Sequence, residues 1–118
     1  MSVEGQPTLS DVAVTYDRSR LDDICAGNEE LRKRILDEFV RSSPDQVRQL
    51  REKLSINDQS AVSHIAHGLK GSSRAIGANL LGNLCEELER GSSTQAGDRL
   101  EGELQRIFEA IKAHEKGV

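Results

Sequence analysis

Apolar residues recur at three- and four-residue spacing along almost the whole chain, and nowhere do they alternate at period two for a useful length. That pattern admits helices and leaves no material for a sheet. Leu31, Ile35, Leu36, Phe39 and Val40 make one inward stripe, which Val47, Leu50 and Leu54 continue. Ala61, Val62, Ile65, Ala66, Leu69 and Ile76 make a second, and Leu80, Leu81, Leu84, Cys85 and Leu88 a third. The last stripe holds Leu100, Leu104, Ile107, Phe108 and Ile111, and a short first one holds Leu21, Ile24 and Cys25. With no Trp, two Phe and one Tyr the core must be aliphatic, and two prolines leave long stretches free to coil.

The boundaries carry helix-end chemistry. Asp17 is placed to cap the short first helix, while Gly27 followed by Asn28 stops it and caps the next, which begins near Glu29. Pro44 either bends this helix or splits it near Ser42 and Ser43. Ser55-Ile56-Asn57-Asp58 forms a turn in which Asn57 or Asp58 caps the third helix; Gly77 ends that helix or marks a tight corner, and Gly91-Ser92-Ser93 breaks the chain once more. Short connections between long helices predict an all-α fold, an antiparallel up-and-down four-helix bundle with a short additional N-terminal helix closing one end. Residues 1 to 15, with Gly5, Pro7 and no sustained period, read as a flexible tail or linker, and residues 16 to 116 as the bundle domain.

A chain of 118 residues is the size of one domain. Its net charge of -4, without a basic block, argues against nucleic acid as a partner. Cys25 and Cys85 lie far apart, flanked by apolar residues at helical intervals, and read as buried reduced thiols rather than a disulfide or metal pair. The first residues lack a basic segment followed by an apolar one, and no apolar run is long enough for membrane insertion. A cytoplasmic chain is the expectation, with monomer as the default. Met1 and the short tail lean toward a standalone protein over the C-terminal domain of a larger one.

On a wheel of ~100° per residue with Val62 at zero, Ile65, Ala66, Leu69, Ser73 and Ile76 fall within about 60°. His67 falls at roughly 140°, beside Lys70, Gly71, Arg74 and His64 on the outer arc. His67 therefore faces solvent. Gly68 and Gly71 flank it, although each glycine inside a helix costs about 0.5–1 kcal/mol relative to Ala. Their gain is steric: with side-chain bulk removed, a partner's surface can bring a reacting atom to the imidazole nitrogen. Lys70, a like charge beside the ring, favours the neutral nucleophile and then pairs with an anionic group placed on it; Arg74, one turn on, extends the cationic patch.

His67-Gly68-Leu69-Lys70-Gly71-Ser72-Ser73, with Gly77-Ala78, Leu81, Cys85 and the Leu88-Glu89 pair after it, resembles the histidine-containing phosphotransfer (HPt) domains of bacterial multistep phosphorelays. The resemblance implies that His67 is the phosphoacceptor, that Lys70 steadies the phosphoryl group and that Gly71 gives a receiver access. It implies exchange with the aspartates of response-regulator receiver domains, among them those of hybrid sensor histidine kinases, with magnesium held by the receiver and no cofactor in this chain. No kinase or nucleotide site of its own is expected, and no glycine-rich nucleotide loop is present. An antiparallel neighbour would bring Glu86, Glu87 or Glu89 to the level of His67. The family points to Glu89 as the carboxylate that orients the ring, the wheel leaves Glu87 open, and a salt bridge to Lys70 or Arg74 is the plainer alternative.

Two rivals stand beside this reading. One is a helical adaptor that binds a signalling protein without chemistry, His67 being incidental. The other is a metal-dependent enzyme using His64 and His67, although His64-Ile65-Ala66-His67 lacks a nearby third ligand and no native metal site is expected. His64, Gly68 and Arg74 are assigned to the partner-binding face.

Overall fold

The computed structural model describes residues 15–91 and 95–115. Helices α1 (Arg18–Cys25), α2 (Glu29–Ser55), α3 (Gln59–Ala75), α4 (Asn79–Arg90) and α5 (Gln95–Glu115) account for nearly all of them, and no strand occurs among the described residues. The expected tail over residues 1–15 lies outside them except for Thr15, and of the Gly91-Ser92-Ser93 break only Gly91 lies within them.

The caps form as the side chains dictate. Asp17 accepts from the Ser19 amide and Asn28 from the Leu31 amide. At the α2–α3 turn Asp58 takes the cap, accepting from the Ala61 amide, while Asn57 adopts a left-handed φ of 57°. Gly77 makes the α3–α4 corner at φ +86°, where a β-carbon would overlap the Asp17 carbonyl. The Asp17 amide donates to the Gly77 carbonyl at 2.9 Å, which ties the start of α1 to that corner.

Each of the four long helices packs on its neighbour in sequence, and α5 closes against α2. Arg51, near the end of α2, donates to the Gly97 carbonyl at the start of α5, and Arg32 near the start of α2 meets Glu115 at the end of α5, so these two helices are antiparallel. Leu36, Phe39, Val47, Leu50, Val62, Leu69, Leu81, Leu84, Leu88, Leu100 and Ile107 fill the interior. Phe39 and Phe108 meet edge-on across the α2–α5 seam, ring centres 6.5 Å apart.

Three expectations need correction. Pro44 does not split α2, which runs unbroken for 27 residues. Pro44 lies on the exposed side, and the buried positions Leu36, Phe39, Ser43, Val47 and Leu50 keep one stripe across it. That stripe is rotated from the expected one: it includes Arg32 and Ser43, and leaves Val40 39% exposed because Val40 lies about 100° round from Phe39. Ile24 is 47% exposed for a similar reason, since a helix of eight residues turns only Leu21 and Cys25, one turn apart, inward.

Arg32 is 2% exposed and fully committed. Its Nε donates to Asp22 at 2.7 Å, its two terminal nitrogens meet Glu115, and the Tyr16 hydroxyl donates to the same carboxylate at 3.1 Å. The short helix thus seals the end of the bundle where α2 begins and α5 finishes. No helix among the described residues is long and apolar enough to cross a membrane.

Candidate functional site

Helix α3 buries Val62, Ala66, Leu69 and Ser73 and turns the adjoining side toward solvent and toward the last turn of α4. His67 stands there with its side chain 71% exposed. Around it α3 is open, because a β-carbon added at Gly68 or Gly71 would touch nothing within 4 Å. The two glycines therefore serve no internal packing contact. They leave one edge of the imidazole clear of neighbouring side chains.

The other edge is held. His67 Nδ1 lies 2.9 Å from Glu89 Oε2, and Lys70 Nζ lies 2.6 Å from Glu89 Oε1, so one carboxylate takes a separate partner on each oxygen. Glu89 thus contacts both the ring it was expected to orient and the Lys70 it was alternatively expected to pair with. The Lys70 ammonium first, and the His67 ring second, hold the Glu89 carboxyl below the usual carboxylate range. An ionised carboxylate can only accept, so the bond requires a proton on Nδ1. In the neutral ring that leaves the lone pair on Nε2, at the exposed edge. Lys70 does not face the imidazole alone, as its like-charge role supposed, because Glu89 counters its charge.

Arg74 is placed differently from the expected extension of a cationic patch. It reaches across to α4 and donates to Glu86 at 2.8 Å and to Asn83 at 3.2 Å, its stem passing over the position where Gly82 has no side chain. Glu86 also accepts from Arg90 at 2.5 Å, and the Arg74 bond is the main reason its carboxyl is held low. Arg74 and Arg90 thus share one carboxylate, on the same α3–α4 face as His67. His64 is exposed one turn before His67. Among the described residues no three His, Cys, Asp or Glu side chains gather closely enough to hold a metal ion.

Beneath the site Cys85 is fully buried, and burial pushes its thiol up to about 12, which keeps it protonated and unreactive. Both cysteines are free and buried. Ser72 back-bonds to the Leu69 carbonyl at 3.2 Å, and Ser73 faces the core. Sequence reasoning passed over Ser63 and Gln59, which lie on the same side of α3 as His67: Ser63 donates to the Glu89 carbonyl at 2.8 Å and Gln59 to the Leu88 carbonyl at 3.0 Å. The four-residue steps from 59 to 63 to 67 were the available signal.

An all-helical antiparallel bundle in which a solvent-facing histidine is flanked by glycines and held from one side by a carboxylate defines a histidine phosphotransfer domain. The family model described as "Hpt domain" matches residues 34–114, and the chain belongs to that family of phosphorelay phosphotransfer intermediates. Among solved structures it is similar to histidine-containing phosphotransfer protein B (HptB) from Pseudomonas aeruginosa PAO1. The two are 30% identical, with a TM-score of 0.78 over 90% of this chain and 98% of that one. No curated protein matched the chain.

Proposed function

We propose that His67 is the phosphoacceptor of this domain and that it exchanges a phosphoryl group with the aspartates of response-regulator receiver domains, including those of hybrid sensor histidine kinases. One observation carries the assignment: Glu89 grips Nδ1 at 2.9 Å while the opposite edge of the ring stays open to solvent. The Nε2 lone pair attacks the phosphorus of a receiver's aspartyl phosphate, and the bond from phosphorus to the aspartyl oxygen breaks with its electron pair leaving on the carboxylate. Nδ1 keeps its proton throughout. The phosphorylated ring is then an imidazolium whose positive charge faces the Glu89 carboxylate. Lys70 then exchanges its pairing with Glu89 for the new phosphoryl oxygens. Transfer onward to a second receiver is the same displacement in reverse.

The domain contributes position and charge, and the reaction is completed by the receiver, which carries the aspartate and the magnesium ion. No kinase step is assigned to this chain. Gly68 and Gly71 give the receiver's surface a close approach, with His64 and Arg74 at the edges of the contact. The site needs a single copy, and a monomer in the cytoplasm fits the reading.

The test is to incubate the protein with a phosphorylated receiver and magnesium and to look for acid-labile, base-stable label. Label is expected on the native chain and absent from His67→Gln. Label that persists in the variant overturns the assignment of His67, and no transfer from any of a broad panel of receivers favours the adaptor.

A further inference from the structure

Ser63 is half-buried in the first half of α3, one turn before His67, and its hydroxyl proton is not spent on a carbonyl of its own helix. Serines inside helices commonly return their proton to a carbonyl of the preceding turn. Ser63 instead donates across the seam to the Glu89 carbonyl at 2.8 Å, and accepts from Gln59 Nε2 at 2.9 Å. Gln59 Nε2 also donates to the Leu88 carbonyl at 3.0 Å. The last four carbonyls of a helix have no partner within it, and Leu88 and Glu89 are among those of α4. Gly91 ends that helix at a φ of 71°, where a β-carbon would press on the Gln59 amide at 3.3 Å, so the glycine makes room for the clamp.

Glu89 is therefore pinned twice by one side of α3. Its backbone is held at Ser63 and its carboxylate at His67 and Lys70. Glu89 lies in the last turn of α4, where helices fray; the Gly91 amide caps the Leu88 carbonyl at 3.0 Å, while the Glu89 carbonyl is held by Ser63. We infer that Ser63, backed by Gln59, is a positioning residue for phosphotransfer: it holds the end of α4 so that Glu89 keeps the proton on Nδ1 and the lone pair on Nε2 of His67. The inference rests on His67 being the phosphoacceptor and adds a residue that never touches the phosphoryl group.

The plainer role, a helix-end bond with no consequence for the imidazole, predicts different results. Nitrogen-15 NMR of the unphosphorylated protein reads the tautomer of His67 without any receiver. The native chain is expected to hold the Nδ1–H form, Ser63→Ala to lose part of it to the Nε2–H form, and Ser63→Thr, which keeps the hydroxyl, to restore it. Phosphoryl transfer should slow about three- to tenfold in Ser63→Ala, the range expected for one lost hydrogen bond. In a Glu89→Ala background the same change should have no further effect on rate, since Ser63 acts only through Glu89. A native tautomer balance and native rate in Ser63→Ala overturn the inference, as does an equal slowing in the presence and absence of Glu89. If the native protein takes no label from any receiver, the phosphoacceptor reading falls, while the tautomer measurement still decides the clamp.

Discussion

Glu115 and Glu89 each grip two partners, one at the sealed end of the bundle and the other on its flank. Glu115 meets the Arg32 guanidinium with both oxygens and accepts the Tyr16 hydroxyl as well, and Asp22 closes the remaining side of an arginine that is almost wholly buried. Glu89 takes Lys70 on one oxygen and His67 on the other, but its histidine stays mostly in solvent. Every polar atom the first carboxylate meets is used up, and what remains is cohesion. The second leaves a nitrogen facing outward, so the same kind of side chain yields a poised nucleophile. Breaking a buried ion pair from one side leaves an uncompensated charge, whereas breaking the exposed one costs little fold and much geometry.

Variants at the two sites should therefore separate stability from chemistry. The largest effect falls on His67→Gln, which should lose all label in the transfer assay while its urea midpoint stays near native, as for most exposed substitutions. Arg32→Ala should do the converse: a loss of about 3 kcal/mol in urea unfolding, with a native transfer rate wherever the protein is still folded. A marked fall in transfer rate for that variant would erase the contrast between the two ends. Glu89→Gln keeps the shape but gives up the charge that fixes the ring, and should slow transfer roughly tenfold, the size expected for a partner that orients a reacting imidazole. Gly71→Leu sharpens the access argument. Transfer should slow while thermal stability rises by up to about 1 kcal/mol, because helix propensity is restored in open space.

The smallest effects are in the pH profile of stability, and they belong to the sealed end. Arg32 holds the Glu115 carboxyl below the carboxylate range, so its contribution is present above the unfolded value of about 4.3 and is lost as pH falls through the lower folded one. Burial, then Glu115, pushes the Tyr16 phenol up to about 12. Its contribution is complete below the unfolded value of about 10 and is lost as pH rises through about 12. Urea midpoints across pH should show Glu115→Gln flattening the acid limb and Tyr16→Phe the alkaline limb.

Most of the architecture was legible because helical spacing and cap chemistry are local. Asp17, Asn28 and Asp58 cap where their side chains and the following residues say they should, and His67 lies outside the apolar arc of α3 as the wheel requires. Where the reading of α2 slipped, the reason is tertiary. Arg32 occupies a core position that no apolar pattern would assign it, and it does so only because Glu115, far away in the chain, supplies its counter-charge. Of the site, His67, Lys70 and the open glycines followed from one helix. The choice among Glu86, Glu87 and Glu89 needed the register of α4, and the turn of Arg74 toward Glu86 needed the bare position at Gly82. Ser63 was missed because a serine on a helix face carries no sign of which carbonyl it will find.

The two glutamate clusters also differ in how much chain they enclose. The bond between His67 and Glu89 spans 22 residues, and that between Arg32 and Glu115 spans 83. Closing the longer loop costs about 1.2 kcal/mol more in chain entropy, so the α3–α4 hairpin is expected to form ahead of the docking of α5 onto α2. Hydrogen exchange would see this as amides of α5 opening before those of the hairpin. On that expectation the chemistry is built on the part of the chain that assembles first, and the ion cluster that seals the bundle waits for the part that arrives last.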